Sequence, residues 1–158
     1  MEILDRNKLY QVSPGDTGVR ALAMRHYSVK RGGNSWWSPA KTMCLTNIDR
    51  TILFVWQRPL PEYRKDGQVG YNCSLFRNED GRLSSEIILE AEKIVIEAWG
   101  PERLYTYVDS DKVKSANPGY CYKRAGWKQI GKSKSGKILL EKQASGTQSP
   151  DNADKGKE

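Results

Sequence analysis

One histidine, His26, stands beside two hydroxyl-bearing residues, Tyr27 and Ser28. Imidazole is the side chain whose unperturbed pKa lies closest to neutrality, so His26 is the first candidate for a general base. Asp109 directly follows a strand-like segment, residues 104–108, at the end of the strand where ligands enter open sheets. Asp109 could orient His26, accept a proton itself or share a metal ion with His26 and Tyr27.

Both acid–base candidates also have a structural interpretation. His26 falls on the apolar stripe of a predicted helix and could be a core histidine with satisfied hydrogen bonds. Asp109 could cap the turn that follows it. A single histidine excludes zinc and iron sites that need two histidines from one chain. The cysteines, at positions 44, 73 and 121, are too far apart for a CxxC motif and indicate reduced thiols.

Basic residues are concentrated in two stretches without acidic residues, 19–47 and 112–137. Aromatic residues lie among them, and such stretches suit a polyanion because cations neutralise phosphates and aromatic faces stack on bases. The alternative is a solvated basic face that only aids solubility. The candidate DNA-binding residues are Arg25, Lys30, Arg31, Trp36, Trp37, Lys112, Lys114, Lys132 and Lys134.

The chain of 158 residues fits one domain followed by a polar tail. The tail, residues 143–158, has no large apolar residue and is predicted to be disordered. Residues 1–142 carry 24 basic against 16 acidic residues, a net charge of +8. The longest apolar run has five residues, so no membrane crossing is expected. The absence of a signal peptide predicts a cytoplasmic protein.

The hydrophobic pattern predicts one mixed α/β (α+β) domain with a mostly antiparallel twisted sheet flanked by helices. Asp16 or Thr17 is predicted to cap a first helix. A long amphipathic helix runs from Ser84 or Ser85 to Gly100, with the serines as its cap. Asn117 is predicted to cap a short helix that ends at Gly126. Strands are predicted at 41–47, 51–58, 71–77, 104–108, 127–131 and 137–141, and the strand–turn–helix unit at 71–98 is a predicted anion site.

The second half resembles the acyl-CoA-dependent N-acetyltransferase (GNAT) fold, through a strand, turn and long helix followed by Tyr122 four residues before Gly126-Trp127. The resemblance implies that Tyr122 protonates a leaving thiolate. The turn departs from the family's Arg/Gln-x-x-Gly-x-Gly/Ala pattern, because it has one glycine and two acids, Glu79 and Asp80, that would repel a pyrophosphate. The cofactor-binding residues implied are Arg77, Asn78, Ser84, Ser85 and Asn117, and an acyl-CoA-type donor stays open.

An ordered set of short segments is more closely similar to the phage Mom DNA-modification proteins, a divergent branch of that fold. The segments lie at 25–28, 76–79, 83–86, 105–109, 115–122 and 125–127. The resemblance implies a phage- or prophage-encoded enzyme of a bacterial host. It implies transfer of a carbamoylmethyl-type group to N6 of adenine, which protects DNA from restriction. The catalytic residues implied are His26, Tyr27, Ser28, Asp109, Tyr120 and Tyr122.

The chemistry of adenine is consistent with these residue types. The N6 amine is a poor nucleophile, so a base that removes its proton helps. The target nucleotide must leave the duplex, and Trp36 and Trp37 could stack on it. Tyr120 and Tyr122, two apart on a helix, face different ways, so at most one reaches the reacting group. The partners expected are double-stranded DNA and a small-molecule group donor, with a homodimer open.

Two other functions compete with DNA modification. One is an acyl-CoA N-acyltransferase that acts on a small amine or a protein. The other is a DNA-binding module without catalytic activity, in which basic residues of 112–137 would carry the affinity.

Overall fold

The computed structural model describes residues 8–13, 16–24, 40–59, 68–109 and 117–143. These ranges form a mixed α/β fold with a seven-stranded sheet and three helices, as the sequence predicts at this level. The elements in chain order are β1 (Tyr10–Val12), α1 (Thr17–Met24), β2 (Ala40–Thr46), β3 (Ile52–Pro59), β4 (Tyr71–Asn78), α2 (Ser84–Trp99), β5 (Leu104–Val108), α3 (Tyr120–Arg124), β6 (Lys128–Lys132) and β7 (Ile138–Lys142).

The sheet order is β1-β2-β3-β4-β5-β7-β6. Neighbouring strands are antiparallel except for β4 and β5, which run parallel. A parallel pair cannot be joined by a tight turn, and here α2 makes the connection. Because β4 is the fourth of the seven described strands and β5 the fifth, the parallel pair lies near the middle of the sheet.

Each face of the sheet carries its own apolar cluster, since successive strand residues point to opposite faces. On one face α1 packs Val19, Leu22 and Ala23 against β2, β3 and β4. On the other face α2 packs Ile87, Ile88, Ala91 and Val95 against a larger core that also includes residues of α3 and β7. The site-bearing elements α2 and α3 therefore share one side of the sheet.

The cap of α1 is Asp16, as the sequence predicts. Its Oδ1 accepts a hydrogen bond from the Val19 N–H at 3.0 Å, and its Oδ2 lies 2.8 Å from Nη2 of Arg50. The Arg50 guanidinium, aided by the Val19 N–H, lowers the pKa of Asp16 to about 2 from an ordinary value of 3.8. One carboxylate thus caps the helix and ties it to the β2–β3 turn.

Replacing this cap is expected to destabilise the fold in a pH-dependent way. Asp16→Ala should lower the free energy of unfolding by about 1–2 kcal/mol at pH 7. Because the folded-state pKa lies below the unfolded one, the stabilisation is complete above about pH 4 and is lost as the pH falls through about 2. Urea unfolding of both proteins at pH 7, 4 and 2.5 measures this, and a difference that stays constant would contradict it.

The start of α2 differs from the prediction. The cap residue is Leu83, whose side chain makes no capping bond, and neither Ser84 nor Ser85 caps the helix. The Ser84 hydroxyl instead accepts a hydrogen bond from Nδ2 of Asn78 at 2.9 Å, so it is committed to the preceding turn. The helix is amphipathic, as predicted: Ile87, Ile88, Ala91 and Val95 are buried, whereas Ala98 near its end is exposed.

The short helix α3 begins later than predicted, and Asn117 is not its cap. The cap residue is Gly119, with φ +80°, and a Cβ at this position would lie 2.8 Å from Cδ1 of Leu140. A glycine is therefore required here by both backbone conformation and space. The Asn117 amide oxygen accepts a hydrogen bond from Nζ of Lys123 at 2.9 Å.

Three further findings concern the first strand, the tail and the helices. Strand β1, which pairs with β2, is not among the strands that the sequence predicts. The predicted disordered tail lies outside the described residues except for Gln143. In the part of the chain that the structure describes, no helix has the length and apolar character needed to cross a membrane.

Candidate functional site

The pairing of the two central strands ends early. β4 and β5 share three residue pairs, and the last of them is Cys73 with Thr106. There the Thr106 hydroxyl donates to the Cys73 carbonyl oxygen at 2.7 Å. β4 continues to Asn78, and β5 continues to Val108 with β7 as its partner. We call this point, defined by Cys73, Thr106 and Tyr122, the fork.

The phenol of Tyr122 reaches the fork from α3. Its hydroxyl lies 3.3 Å from Sγ of Cys73 and either atom could be the donor. The ring is held by a tilted contact with Trp127 at 5.0 Å and an edge contact with Phe76 at 6.2 Å between centroids. Tyr122 is 7% exposed. These contacts fix the orientation of the ring, and the hydroxyl lies against the sheet beside Cys73.

Burial keeps the groups of the fork protonated. It raises the pKa of Tyr122 well above its ordinary value of 10 and that of Cys73 to about 12. The Thr106 side chain lowers the pKa of both groups, but by less than burial raises it. At neutral pH the Tyr122 phenol is therefore a proton donor, not a phenolate.

The two tyrosines of α3 face different ways, as predicted. Tyr120 is 54% exposed, whereas Tyr122 is buried. Tyr122 is therefore the one that contacts the sheet at the fork.

Asp109 lies where the sequence places it, directly after β5. Its side chain is half-buried. It follows Thr106 by three residues, which is roughly 10 Å along an extended chain. Asp109 and the fork thus belong to the same strand end.

The turn before α2 uses its own polar groups. The Asp80 N–H donates to Oδ1 of Asn78 at 2.9 Å, and the Arg82 N–H donates to Oδ2 of Asp80 at 3.2 Å. The Glu79 N–H donates to the Thr51 carbonyl oxygen at 2.7 Å. A pyrophosphate needs such N–H groups as donors, and these three are already occupied. These three N–H groups are therefore not available to a pyrophosphate.

Two other predicted cofactor residues, Arg77 and Asn117, have partners within the protein. Arg77 forms an ion pair with Glu79, and the first turn of α2 carries a further acid, Glu86. Asn117 is exposed and bonded to Lys123. Glu79 and Glu86 therefore place negative charge near the N-terminus of α2, which disfavours a diphosphate, and the predicted anion site there stays a prediction.

Comparison with known proteins adds no identification. No protein-family model matches this chain, and no curated protein matches it. The fold and the chemistry of its residues therefore carry the functional argument.

Much of the predicted site lies outside the described residues. This holds for His26, Tyr27, Ser28 and the DNA-binding candidates Arg25, Lys30, Arg31, Trp36, Trp37, Lys112 and Lys114. The predicted metal set includes two of these residues and stays a prediction. Within the described ranges, no group of three or more histidine, cysteine or acidic side chains could hold a metal ion.

A second polar cluster was missed by the sequence analysis. Glu92, on α2, is 7% exposed and accepts a hydrogen bond from Nε1 of Trp127 at 2.8 Å. Its other oxygen lies 2.9 Å from Nζ of Lys142, which also donates to the Ala125 carbonyl oxygen at 2.8 Å. This cluster ties α2, the end of α3 and β7 together behind Tyr122. No local sequence pattern indicates that Glu92 is buried, so the sequence alone could not predict this cluster.

Proposed function

We propose that the chain is a DNA-modifying transferase that adds a carbamoylmethyl-type group to N6 of adenine. The order of β4, turn, α2, β5, α3 and Gly126-Trp127 agrees with the GNAT-like succession that the sequence resemblance implies. The observation that carries the proposal is the fork, where the protonated phenol of Tyr122 meets the end of the β4–β5 pairing. Asp109 at the end of β5 supplies a carboxylate on the same strand.

The proposed reaction needs one proton acceptor and one proton donor. A bond forms between adenine N6 and the carbon of the transferred group, while the bond from that carbon to its leaving group breaks. The N6 proton passes to His26 or Asp109, which raises the nucleophilicity of the amine. The leaving group takes a proton from Tyr122, and the phenolate takes a proton back before the next turnover, because burial disfavours its charged form and raises the pKa of the phenol.

The donor is not held through a pyrophosphate at the α2 turn. Three N–H groups of that turn are occupied, and Glu79, Asp80 and Glu86 lie in it or in the first turn of α2. We therefore assign no step to coenzyme A. The donor is a small molecule whose leaving group accepts a proton.

The acyl-CoA N-acyltransferase is the second candidate, because the same fork would suit acyl transfer. The α2 turn counts against it. Titration with acetyl-CoA in a calorimeter separates the two, since tight binding would favour the acyltransferase and overturn our assignment of the turn.

The proposed function predicts a mass change on adenine. Deoxyadenosine from plasmid DNA of cells that express the chain should show a heavier form by nucleoside mass spectrometry. His26→Ala and Asp109→Ala should each abolish it while the proteins stay folded. The same DNA should resist restriction enzymes whose sites contain the modified adenine. Unmodified adenine alone, with soluble protein present, would refute the proposal.

A further inference from the structure

A set of exposed cations lines one border of the sheet. They lie at the end of α3, along β6 and in the turn before β7, and none of them forms an ion pair with a described residue. These residues are Arg124, Lys128, Lys132, Lys134 and Lys137. We call this set the basic edge. No acidic residue occurs between positions 112 and 137, so nothing within this segment compensates the charge.

Several cations elsewhere in the described fold are paired with acids. The pairs are Arg50–Asp16, Arg77–Glu79, Arg82–Glu90, Arg103–Glu141 and Lys142–Glu92. Glu141 stands opposite Lys128 in the strand register, yet its carboxylate is bound by Arg103. The neighbouring acid is thus committed to another cation, and the basic edge keeps its charge.

The basic edge is built on ordered backbone. Among the described strands, β6 pairs with β7 alone, and it is exposed along its whole length. The following turn is closed by bonds from the Ser133 N–H to the Lys137 carbonyl oxygen at 2.8 Å and from the Gly136 N–H to the Ser133 carbonyl oxygen at 2.9 Å. Lys128 and Lys132 lie opposite Glu141 and Ile138 of β7, and a bulge in β6 between Gln129 and Gly131 separates them, so they stand roughly 10 Å apart on the two faces of the sheet border. Cations on both faces of one border can contact phosphates of a nucleic-acid backbone that lies along it.

We propose that the basic edge binds the phosphate backbone of double-stranded DNA and positions the duplex. Contacts to phosphates fix orientation without reading sequence, so the edge holds the duplex while the fork acts on the base. The inference rests on the proposed function for its choice of DNA as the polyanion. The charge pattern itself is independent of any catalytic role.

Protection of the strand edge and binding to a membrane are alternative roles for these lysines, and each makes a different prediction. Lysines on an edge strand discourage pairing with other chains, which would require no ligand. An anionic membrane would need apolar residues beside the cations, and Ile130 is the one large apolar residue of β6. A charged surface with one large apolar residue favours a polyanion over a membrane as the partner.

The test compares two triple variants with the same change in charge. Lys128→Gln/Lys132→Gln/Lys134→Gln removes charge from the edge, and Lys8→Gln/Arg58→Gln/Lys93→Gln removes it from exposed positions elsewhere in the fold. Binding to a fluorescent duplex of about 20 base pairs is measured between about 50 and 200 mM salt. The edge variant should bind at least about tenfold more weakly, with a slope of log K against log salt reduced by about 2–3. The control should change by less than about threefold.

The outcomes are distinct. If both variants lose the same DNA affinity, net charge alone determines binding and the proposal is overturned. Unchanged binding by the edge variant would also overturn it. Self-association of the edge variant with intact DNA binding would assign the lysines to edge protection. A loss of binding to anionic vesicles, but not to the duplex, would indicate a membrane. If the edge variant loses binding while the parent leaves adenine unmodified, the edge stands and the transferase does not.

Discussion

Tyr122→Phe is expected to lower the rate of adenine modification by at least about 100-fold. The substitution removes the hydroxyl that lies 3.3 Å from Sγ of Cys73 and keeps the ring between Phe76 and Trp127. One hydrogen bond is lost, so the free energy of unfolding should fall by only about 1 kcal/mol. A large loss of rate with a small loss of stability is the signature of a proton donor.

Tyr120→Phe is the matched control for this prediction. Tyr120 lies two residues away on the same helix and is exposed, so its removal should leave rate and stability almost unchanged. Both variants are followed by the time course of deoxyadenosine mass change with purified protein and by thermal unfolding. A result in which Tyr120→Phe is inactive and Tyr122→Phe is active would place the reacting group on the outer face of α3 and refute the assignment to the fork.

A second control separates donation from positioning at the fork. Thr106→Val removes the hydroxyl that bonds to the Cys73 carbonyl oxygen and keeps the shape of the side chain. The phenol would still be present, so activity should fall much less than in Tyr122→Phe. Comparable losses in the two variants would mean that the geometry of the strand end, not the proton, limits the rate.

The elements of this fold could be predicted where local pattern determines them. The apolar residues of α2 recur at helical spacing, and Asp16 precedes α1 with the chemistry of a cap. The same local signals explain why β5 and the position of Asp109 at its end were found. Hydrophobic periodicity and capping depend on residues close together in the chain, so both can be detected in a single sequence.

The fork itself could not be predicted. The contact between Cys73 and Tyr122 joins residues 49 apart in sequence, and no pattern in either segment specifies the other. The spacing of Tyr71 and Cys73 indicates an inward-facing cysteine but not its partner, and Leu75 packs on the opposite face because of a bulge between Cys73 and Leu75. The cap predictions at Ser84 and Asn117 failed for a related reason, because both side chains bond to another side chain and not to a backbone N–H of their helices.

Lys142→Met is expected to produce the largest loss of stability among the substitutions considered. The lysine pairs with Glu92, whose side chain is 10% exposed, at 2.9 Å. Removing the ammonium leaves a buried carboxylate without its counter-charge, which costs about 3–5 kcal/mol. For a domain of this size the melting temperature should fall by about 10 °C. Lys137→Met, at an exposed position on the same hairpin, should change the stability by less than about 0.5 kcal/mol.

The cause of this loss can be isolated with a second substitution. Glu92→Gln removes the charge but keeps an oxygen to accept the Trp127 Nε1–H bond, which is 2.8 Å long in the native protein. In Lys142→Met/Glu92→Gln no unpaired charge is buried, so more than half of the stability lost in Lys142→Met should return. Additive losses in the double variant would show that Glu92 and Lys142 are not coupled. Because Trp127 also packs on Tyr122, recovery of stability should be accompanied by recovery of adenine modification, which links the buried pair to the placement of the phenol.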